Sequence, residues 1–470
     1  MKYNIKEHSI GSTLKILTCF LIVLFSVSLQ TARAQNGVDE IKGSNPSSNR
    51  GRGLRMLKDI KEIIKSNYYD PKFHGINLEE RFDKAAAKIK TLNANWEIYR
   101  EIADILLEFN DSHTRFVPPF RTHFVEYGFA MQMIGNDCHI VNVKKGSDAE
   151  AKQLRAGDVI LKIGIYQPTR ENLWMLNYLI YTLDPQPGLS LTIQGLDGKQ
   201  RTVGVEAKLV SLEEKRKQRE KRQSARKELA YKCTEINSDS IACKLYTFSV
   251  DKEVINKMMK EVGQRKTLIL DLRGNAGGYV KTEMHLTGFF FERDVKIGDE
   301  KARNKIKERI AKSLKEKVYG GNLAVLIDSE SASAAEVFAK VIQVEKRGKI
   351  FGDQSAGAVM TSNFIGMADI REVADVTVRQ KADSFYGINL TVGDLIMSDG
   401  NRLEGIGVFP DFRIGPTAYA IAQKFDPVLA SAASLFGIKI SPEEAGKFKF
   451  LTEIDEDDKN IEGNAVDDKD

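Results

Sequence analysis

"LAVLIDSESASAAEVFAK", Leu323 to Lys340, reads as an apolar strand, a serine-rich loop and a helix. Strand, loop and helix in that order are the unit of an α/β layer structure, so this stretch decides the fold. Its loop also raises the question of function. Ser329, Ser331 and Ser333 fall within five residues. A helix N-terminus offers free amides and partial positive charge, a good place for developing negative charge. The same letters fit a cap. Ser333-Ala334-Ala335-Glu336 is Ser-x-x-Glu, in which the hydroxyl is spent on a backbone amide. On local pattern the cap is the plainer reading, and the nucleophile stays open.

Upstream, "TLILDLRGNAGGYV", Thr267 to Val280, is an apolar strand feeding a Gly-rich turn. Adjacent glycines let the backbone turn sharply and aim amides at an incoming group. No Gly-Lys-Ser/Thr follows, so it is not a nucleotide-binding Walker loop. A tight structural turn is the alternative. "GDQSAG", Gly352 to Gly357, comes close to a Gly-x-Ser-x-Gly elbow but has one residue too many before Ser355. Apolar strands alternate with helical stretches over 228–440, which predicts an α/β core.

Outward from the core, the patterning changes twice. Over 127–207 short β-rich runs alternate with turns, a compact β-rich domain. Over 51–118 apolar residues such as Leu54, Met56, Leu57, Ile60, Ile63 and Ile64 recur at helical spacing, a helical N-terminal domain. Residues 35–50 are polar and read as a linker. Residues 208–227 are a charged linker or helix. The tail, 452–470, carries nine acids against two lysines and reads as disordered. Residues 1–34 read as a signal peptide: basic residues, an apolar run from Ile16 to Leu29, then Ala32-Arg33-Ala34. That run is short for a membrane span. An exported protein, periplasmic or secreted, is the expectation, with membrane contact only through that peptide.

The formal charge of +5 is mostly N-terminal, because residues 1–34 hold four basic residues and one acid. The remainder is too balanced to suggest a nucleic-acid partner. Cys233 and Cys243 flank "TEINSDSIA", a hairpin-like stretch, so they either face each other as a disulfide or remain thiols. No cysteine spacing suggests zinc, and no two histidines have metal-ligand helical spacing, so no metal or cofactor is expected. "EFNDSHTRF", Glu108 to Phe116, places His113 in a loop, where histidine is commonly structural; yet a serine nucleophile needs a base that works near neutral pH.

Together and in this order, these segments resemble the C-terminal processing and tricorn-core-like serine peptidases, over roughly residues 52–425. "DLRGNAGG" is similar to the family's D-x-R-x-N-x-G-G turn and "SASAAE" to its nucleophile segment. "LRAGDVILKIG" and "EYGFAMQMI" resemble parts of a PDZ domain, and "GIGVFPD", Gly405 to Asp411, the family's closing motif. The resemblance implies Ser333 as nucleophile. The processing branch adds a lysine twenty-five residues on, but Ala358 stands there. The tricorn-like branch uses a histidine with a neighbouring serine and a glutamate, which implies His113, Ser112 and Glu404. It also implies an oxyanion site from the amide of Gly277 or Gly278 with that of Ala334. Gly128 and Phe129 stand at the peptide-binding loop of the PDZ-like domain, where Ala130 replaces the usual second glycine. The implied activity is a serine endopeptidase acting on peptides or unfolded segments, held in part by the substrate C-terminus. A ligand-binding protein that has lost activity, and a scaffold working through its PDZ-like domain, are the alternatives.

Overall fold

The computed structural model describes residues 46–448, apart from 120, 122, 219, 221–229 and 369–384. The expected signal peptide and acidic tail, most of the linker and the outer part of the charged segment lie outside the described residues.

Three helices open the chain: α1 (Pro46–Asn67), α2 (Leu78–Ile89) and α3 (Asn95–Leu107). Met56, Leu57, Ile60 and Ile64 form the buried stripe of α1. The helix begins at Pro46, inside the stretch read as linker. Proline is tolerated in a first helical turn, and Asn49 is buried while Arg50 reaches Asn93 Oδ1 at 3.0 Å. Tertiary polar contacts recruit residues that apolar periodicity does not flag.

After α3 come β1 (Arg115–Val117), β2 (His123–Glu126) and a five-stranded antiparallel sheet of β3 (Phe129–Ile134), β4 (Asp137–Val143), β5 (Val159–Ile163), β6 (Gly188–Gln194) and β7 (Gln200–Glu206). Short helices α4 (Asp148–Ala151) and α5 (Leu173–Tyr178) add Ala149 and Leu176 to its core. The strands are hydrogen-bonded in sequence order, so β3 is a sheet edge. β8 (Lys208–Ser211) pairs with β2, and residues 212–218 are helical.

The remaining elements are β9 (Tyr231–Asn237), β10 (Ser240–Leu245), α6 (Lys252–Val262), β11 (Thr267–Asp271), α7 (Val280–Thr287), β12 (Val295–Ala302), β13 (Lys305–Ala311), β14 (Asn322–Ile327), α8 (Ala334–Val344), β15 (Lys349–Gly352), β16 (Thr361–Ala368), β17 (Phe385–Met397), β18 (Phe412–Arg413), α9 (Ala418–Gln423), α10 (Pro427–Leu435) and α11 (Pro442–Gly446). A six-stranded sheet runs β18-β15-β14-β11-β10-β9 and is parallel except for β9. Alternate residues point to opposite faces. Leu268, Leu270 and Val325 pack with Met258, Leu286 and Phe338 on one face, while Ile269, Ala324 and Leu326 meet Leu429 and Ala433 on the other. Both faces are covered, which is why β11 and β14 read as unbroken apolar runs. A second sheet, β1-β17-β12-β13 with β16 on β17, joins the N-terminal region to the core. Cys233 and Cys243 stand opposite in β9 and β10 and are disulfide-bonded; Cys138 is a buried thiol.

Candidate active site

The three loop serines differ in what holds them. Ser329 Oγ donates to the Met133 carbonyl at 2.5 Å. Ser331 is buried, donates to the Leu272 carbonyl at 2.8 Å and accepts from the Asp328 amide. Among the described residues, Ser333 is held through its backbone amide. Its amide meets the Ala358 carbonyl at 2.8 Å and Glu336 Oε2 at 3.0 Å, and its hydroxyl makes no capping bond. The turn has the outline of a capping box, with the Glu336 carboxylate returning to the Ser333 amide, but the hydroxyl's approach to the helix amide falls short of a hydrogen bond. Ser333 also has φ 54° and ψ −120°, a conformation that L residues resist. The cap therefore does not account for this hydroxyl.

Glu336, at the foot of the same turn, is fully buried. Besides the Ser333 amide it accepts from Ser355 Oγ (2.6 Å), the Gly357 amide (2.7 Å) and the Ala358 amide (2.9 Å). Burial pushes its carboxyl up to about 7, against the pull of those donors. Ser355 is committed here and accepts from the Val408 amide, so the near-elbow serine is structural.

The Gly-rich turn after β11 lies against Ser333. A Cβ on Gly277 would fall 2.7 Å from Ser333 Cβ, and one on Gly278 would fall 2.1 Å from the Ser249 amide nitrogen. Their φ of 98° and 137° likewise favour glycine. Asn275 Nδ2 donates to the Leu245 carbonyl, and the Gly274 amide donates to Asp328 Oδ1. Arg273 is buried between Asp271 and Asp426. The Gly277 amide donates to Asn275 Oδ1 at 2.8 Å. Among the described residues, the Gly278 and Ala334 amides make no such bond.

The other half of the site comes from distant segments. Ser112 and His113 follow α3, and Glu404 lies 292 residues beyond Ser112. Ser112 Oγ stands 2.6 Å from His113 Nδ1 and donates to Glu404 Oε2 at 3.0 Å; the Ser112 amide donates to Glu404 Oε1 at 2.7 Å. A hydroxyl has one proton to give. With that hydrogen bond directed at Glu404, Ser112 is left to accept from Nδ1–H, the tautomer that leaves Nε2 with its lone pair. Arg115 donates to the Ser112 carbonyl from Nε and Nη2 and stacks over Trp174 of α5, 4.7 Å from the ring centre. Burial, and next the Arg115 guanidinium, push the His113 imidazole down to about 4, with Asp111 opposing. Burial raises the Glu404 carboxyl, and its bonds from Val359 and Ser112 oppose that.

The two halves meet on one strap. The Val359 amide donates to Glu404 Oε2 at 2.9 Å, while the preceding residue, Ala358, accepts from Ser333 and donates to Glu336. No hydrogen bond links Ser333 Oγ to His113 Nε2 among the described residues. Gly128 (φ 74°) leads into β3, where a Cβ would strike Ser147, and Phe129 is buried in the core of the β-rich unit. The β3 edge faces the nucleophile loop: Gln132 Nε2 donates to Asp328 at 2.7 Å, beside the Ser329–Met133 bond. No group of three or more metal-ligating side chains occurs among the described residues, and none of their helices is long and apolar enough to cross a membrane.

Residues 242–414, which hold Ser333, the Gly-rich turn and Glu404, match peptidase family S41. This core is an S41 peptidase domain. The chain is 24% identical over 351 residues to a tail-specific protease of Haemophilus influenzae, covering 70% of this chain and 49% of that protein. The chain thus spans about half the length of that relative. It is 23% identical over 377 residues to the chloroplastic C-terminal processing peptidase of Tetradesmus obliquus, covering 74% of each chain. In fold it is similar to mature CPAF, with a TM-score of 0.60 at 15% identity, covering 80% of this chain and 94% of that one. The expected α/β architecture with a helical N-terminal region is present, in a fold shared with mature CPAF. Three participants escaped the sequence reading: Asp111, Arg115 and the four-donor role of Glu336. The Ser-x-x-Glu pattern marked Glu336 only as a capping partner. The Asp in "DSHT" was a visible turn signal without a visible purpose.

Proposed function

We propose that the protein is an exported serine endopeptidase that forms an acyl-enzyme on Ser333, with His113 as general base. One observation carries this reading: the Ser112 hydroxyl donates its hydrogen bond to Glu404 Oε2, which leaves it to accept from His113 Nδ1–H and leaves Nε2 as the basic nitrogen on the side away from its support. In the attack, Nε2 takes the Ser333 hydroxyl proton as Oγ adds to the peptide carbonyl. Ser112 and Glu404 hold the ring and support its charged form. The amides of Gly278 and Ala334 then receive the oxyanion, since that of Gly277 is already engaged. Removing one such donor typically costs about 2.7–4 kcal/mol in the barrier. The imidazole returns the proton to the leaving amine, and water repeats the sequence to release the acid. The Ser333–His113 contact would close when substrate binds, as catalytic hydrogen bonds often tighten only in the complex.

The β-rich unit, read as PDZ-like, would receive a substrate C-terminus along β3, with Gly128 and Phe129 at the carboxylate end. Relatives named for tail-specific and C-terminal processing support that choice of substrate. A periplasmic or secreted location rests on residues 1–34. The open Ser333–His113 pair is what favours the second reading, an inactive binding protein. Labelling separates the two. The purified protein is treated with a fluorophosphonate, and the adduct is located by peptide mass spectrometry, with and without C-terminal peptides. An adduct on Ser333 that disappears in His113→Ala is the expected result. A folded protein that stays unlabelled in both conditions overturns the peptidase reading.

A further inference from the structure

Asp111 stands one residue before the Ser112–His113 pair and is buried. Its Oδ1 accepts from the His113 amide (3.0 Å), the Thr114 amide (2.6 Å) and Thr391 Oγ1 (2.8 Å). Its Oδ2 accepts from Tyr68 Oη (2.8 Å) and Thr114 Oγ1 (2.9 Å). These donors come from three places: the end of α1, the loop itself and β17. Two of them matter most for the base. The amides of His113 and Thr114 belong to the peptide planes on either side of the His113 Cα. Fixing both planes fixes the direction in which the imidazole leaves the backbone. Glu404 and Ser112 hold the ring at Nδ1; Asp111 holds the backbone from which the ring projects. Burial makes this grip strict, because each amide left without its acceptor would pay its desolvation.

We propose that Asp111 is a positioning residue that sets the orientation of His113 through the two flanking amides. It also couples that orientation to the helical N-terminal unit through Tyr68 and to β17 through Thr391. This rests on the reading of His113 as the base. The charged groups around the imidazole are Asp111 and Arg115, with Glu404 beyond Ser112.

The test measures the rate of Ser333 labelling by a fluorophosphonate in the full chain, with thermal midpoints measured in parallel. Asp111→Ala is expected to slow labelling by about 10- to 100-fold, the usual range when a supporting partner of a functional group is lost. Asp111→Asn keeps an acceptor for both amides, and its NH2 can donate to the Tyr68 and Thr114 hydroxyls. It is expected to stay within a few-fold of the parent. Tyr68→Phe removes one hydroxyl donor of the same carboxylate without touching either amide, so it should lower the thermal midpoint and slow labelling far less than Asp111→Ala. The nitrogen-15 shifts of the His113 ring should report one tautomer in the parent and in Asp111→Asn, and a mixture in Asp111→Ala. If Asp111→Ala does not fold, Asp111→Glu takes its place, since its displaced carboxylate should slow Ser333 labelling to the same extent. Labelling of Asp111→Ala at the parent rate overturns the proposal. So does Asp111→Asn as slow as Asp111→Ala, or Tyr68→Phe losing as much rate at equal stability. Labelling that survives His113→Ala instead sinks the reading of the base.

Discussion

The proposed nucleophile half and the proposed base half of this site are built in opposite ways. Ser333 sits on a continuous strand–loop–helix, and its supports, Glu336 and Ala358, lie within 25 residues of it in sequence. The proposed base, His113, is supported by Ser112 with Glu404 behind it and by Asp111, which Thr391 and Tyr68 hold in turn, with 292 residues between Ser112 and its glutamate. The first half is specified by local backbone geometry. The second exists only once the whole chain has closed. A long-range assembly is costly to form, and its parts are individually replaceable without unfolding the core. The local half, being woven into the core sheet, is not.

That contrast makes a prediction about what each half loses. Glu404→Gln should cut the labelling rate and peptide turnover by up to about 10⁴-fold, the scale seen when the carboxylate behind a catalytic histidine is neutralised. Its thermal midpoint should fall only modestly, because one orientation of the amide sets its NH2 against a single donor, the Ser112 amide. A large loss of stability would break the comparison. Glu336→Gln should behave differently. Its amide group would turn donors toward the donors of Ser333 and Ala358, or toward those of Ser355 and Gly357. Each buried donor left unsatisfied costs about 1–3 kcal/mol, so the midpoint and the labelling rate should fall together, the rate by about 100-fold. A variant that lost rate but kept its midpoint would place Glu336 with the base half.

Arg115→Met is the mildest change and tests the sign of one charge. His113 acts in its neutral form, so activity falls as pH drops through its pKa. The guanidinium helps push that pKa down to about 4, and removing it must move the acid limb upward. The rate should drop more at pH 5 than at pH 8. The pH 8 plateau should lie about tenfold below the parent, for the lost charged hydrogen bonds to the Ser112 carbonyl. An acid limb that moved down would contradict the assignment.

The same contrast explains what could be read from the sequence. The α/β core was legible because β11 and β14 are apolar runs followed by turn and helix signals. The helical start was legible from Met56, Ile60 and Ile64. Ser333 was visible as a candidate, though its letters equally fit a cap; only backbone geometry separates Ser-x-x-Glu with a spent hydroxyl from the same motif with a free one. His113 was different. Nothing local marks a loop histidine as a base, and family resemblance alone pointed to it and to Glu404. Asp111 and Arg115 went unread because their partners, Tyr68, Thr391 and Trp174, are remote in sequence. Pro46 to Arg50 were taken for linker because polar anchoring to Asn93 leaves no periodic trace.

The positive φ of Ser333 sets two selective demands against each other at a single codon. Glycine would relax that backbone, and conformations of this kind typically cost about 1–3 kcal/mol in a residue with a side chain. Any lineage, or any laboratory screen, that rewards thermal endurance alone therefore has a standing incentive to erase residue 333. On the proposed mechanism, the serine at this position trades durability for a reactive hydroxyl.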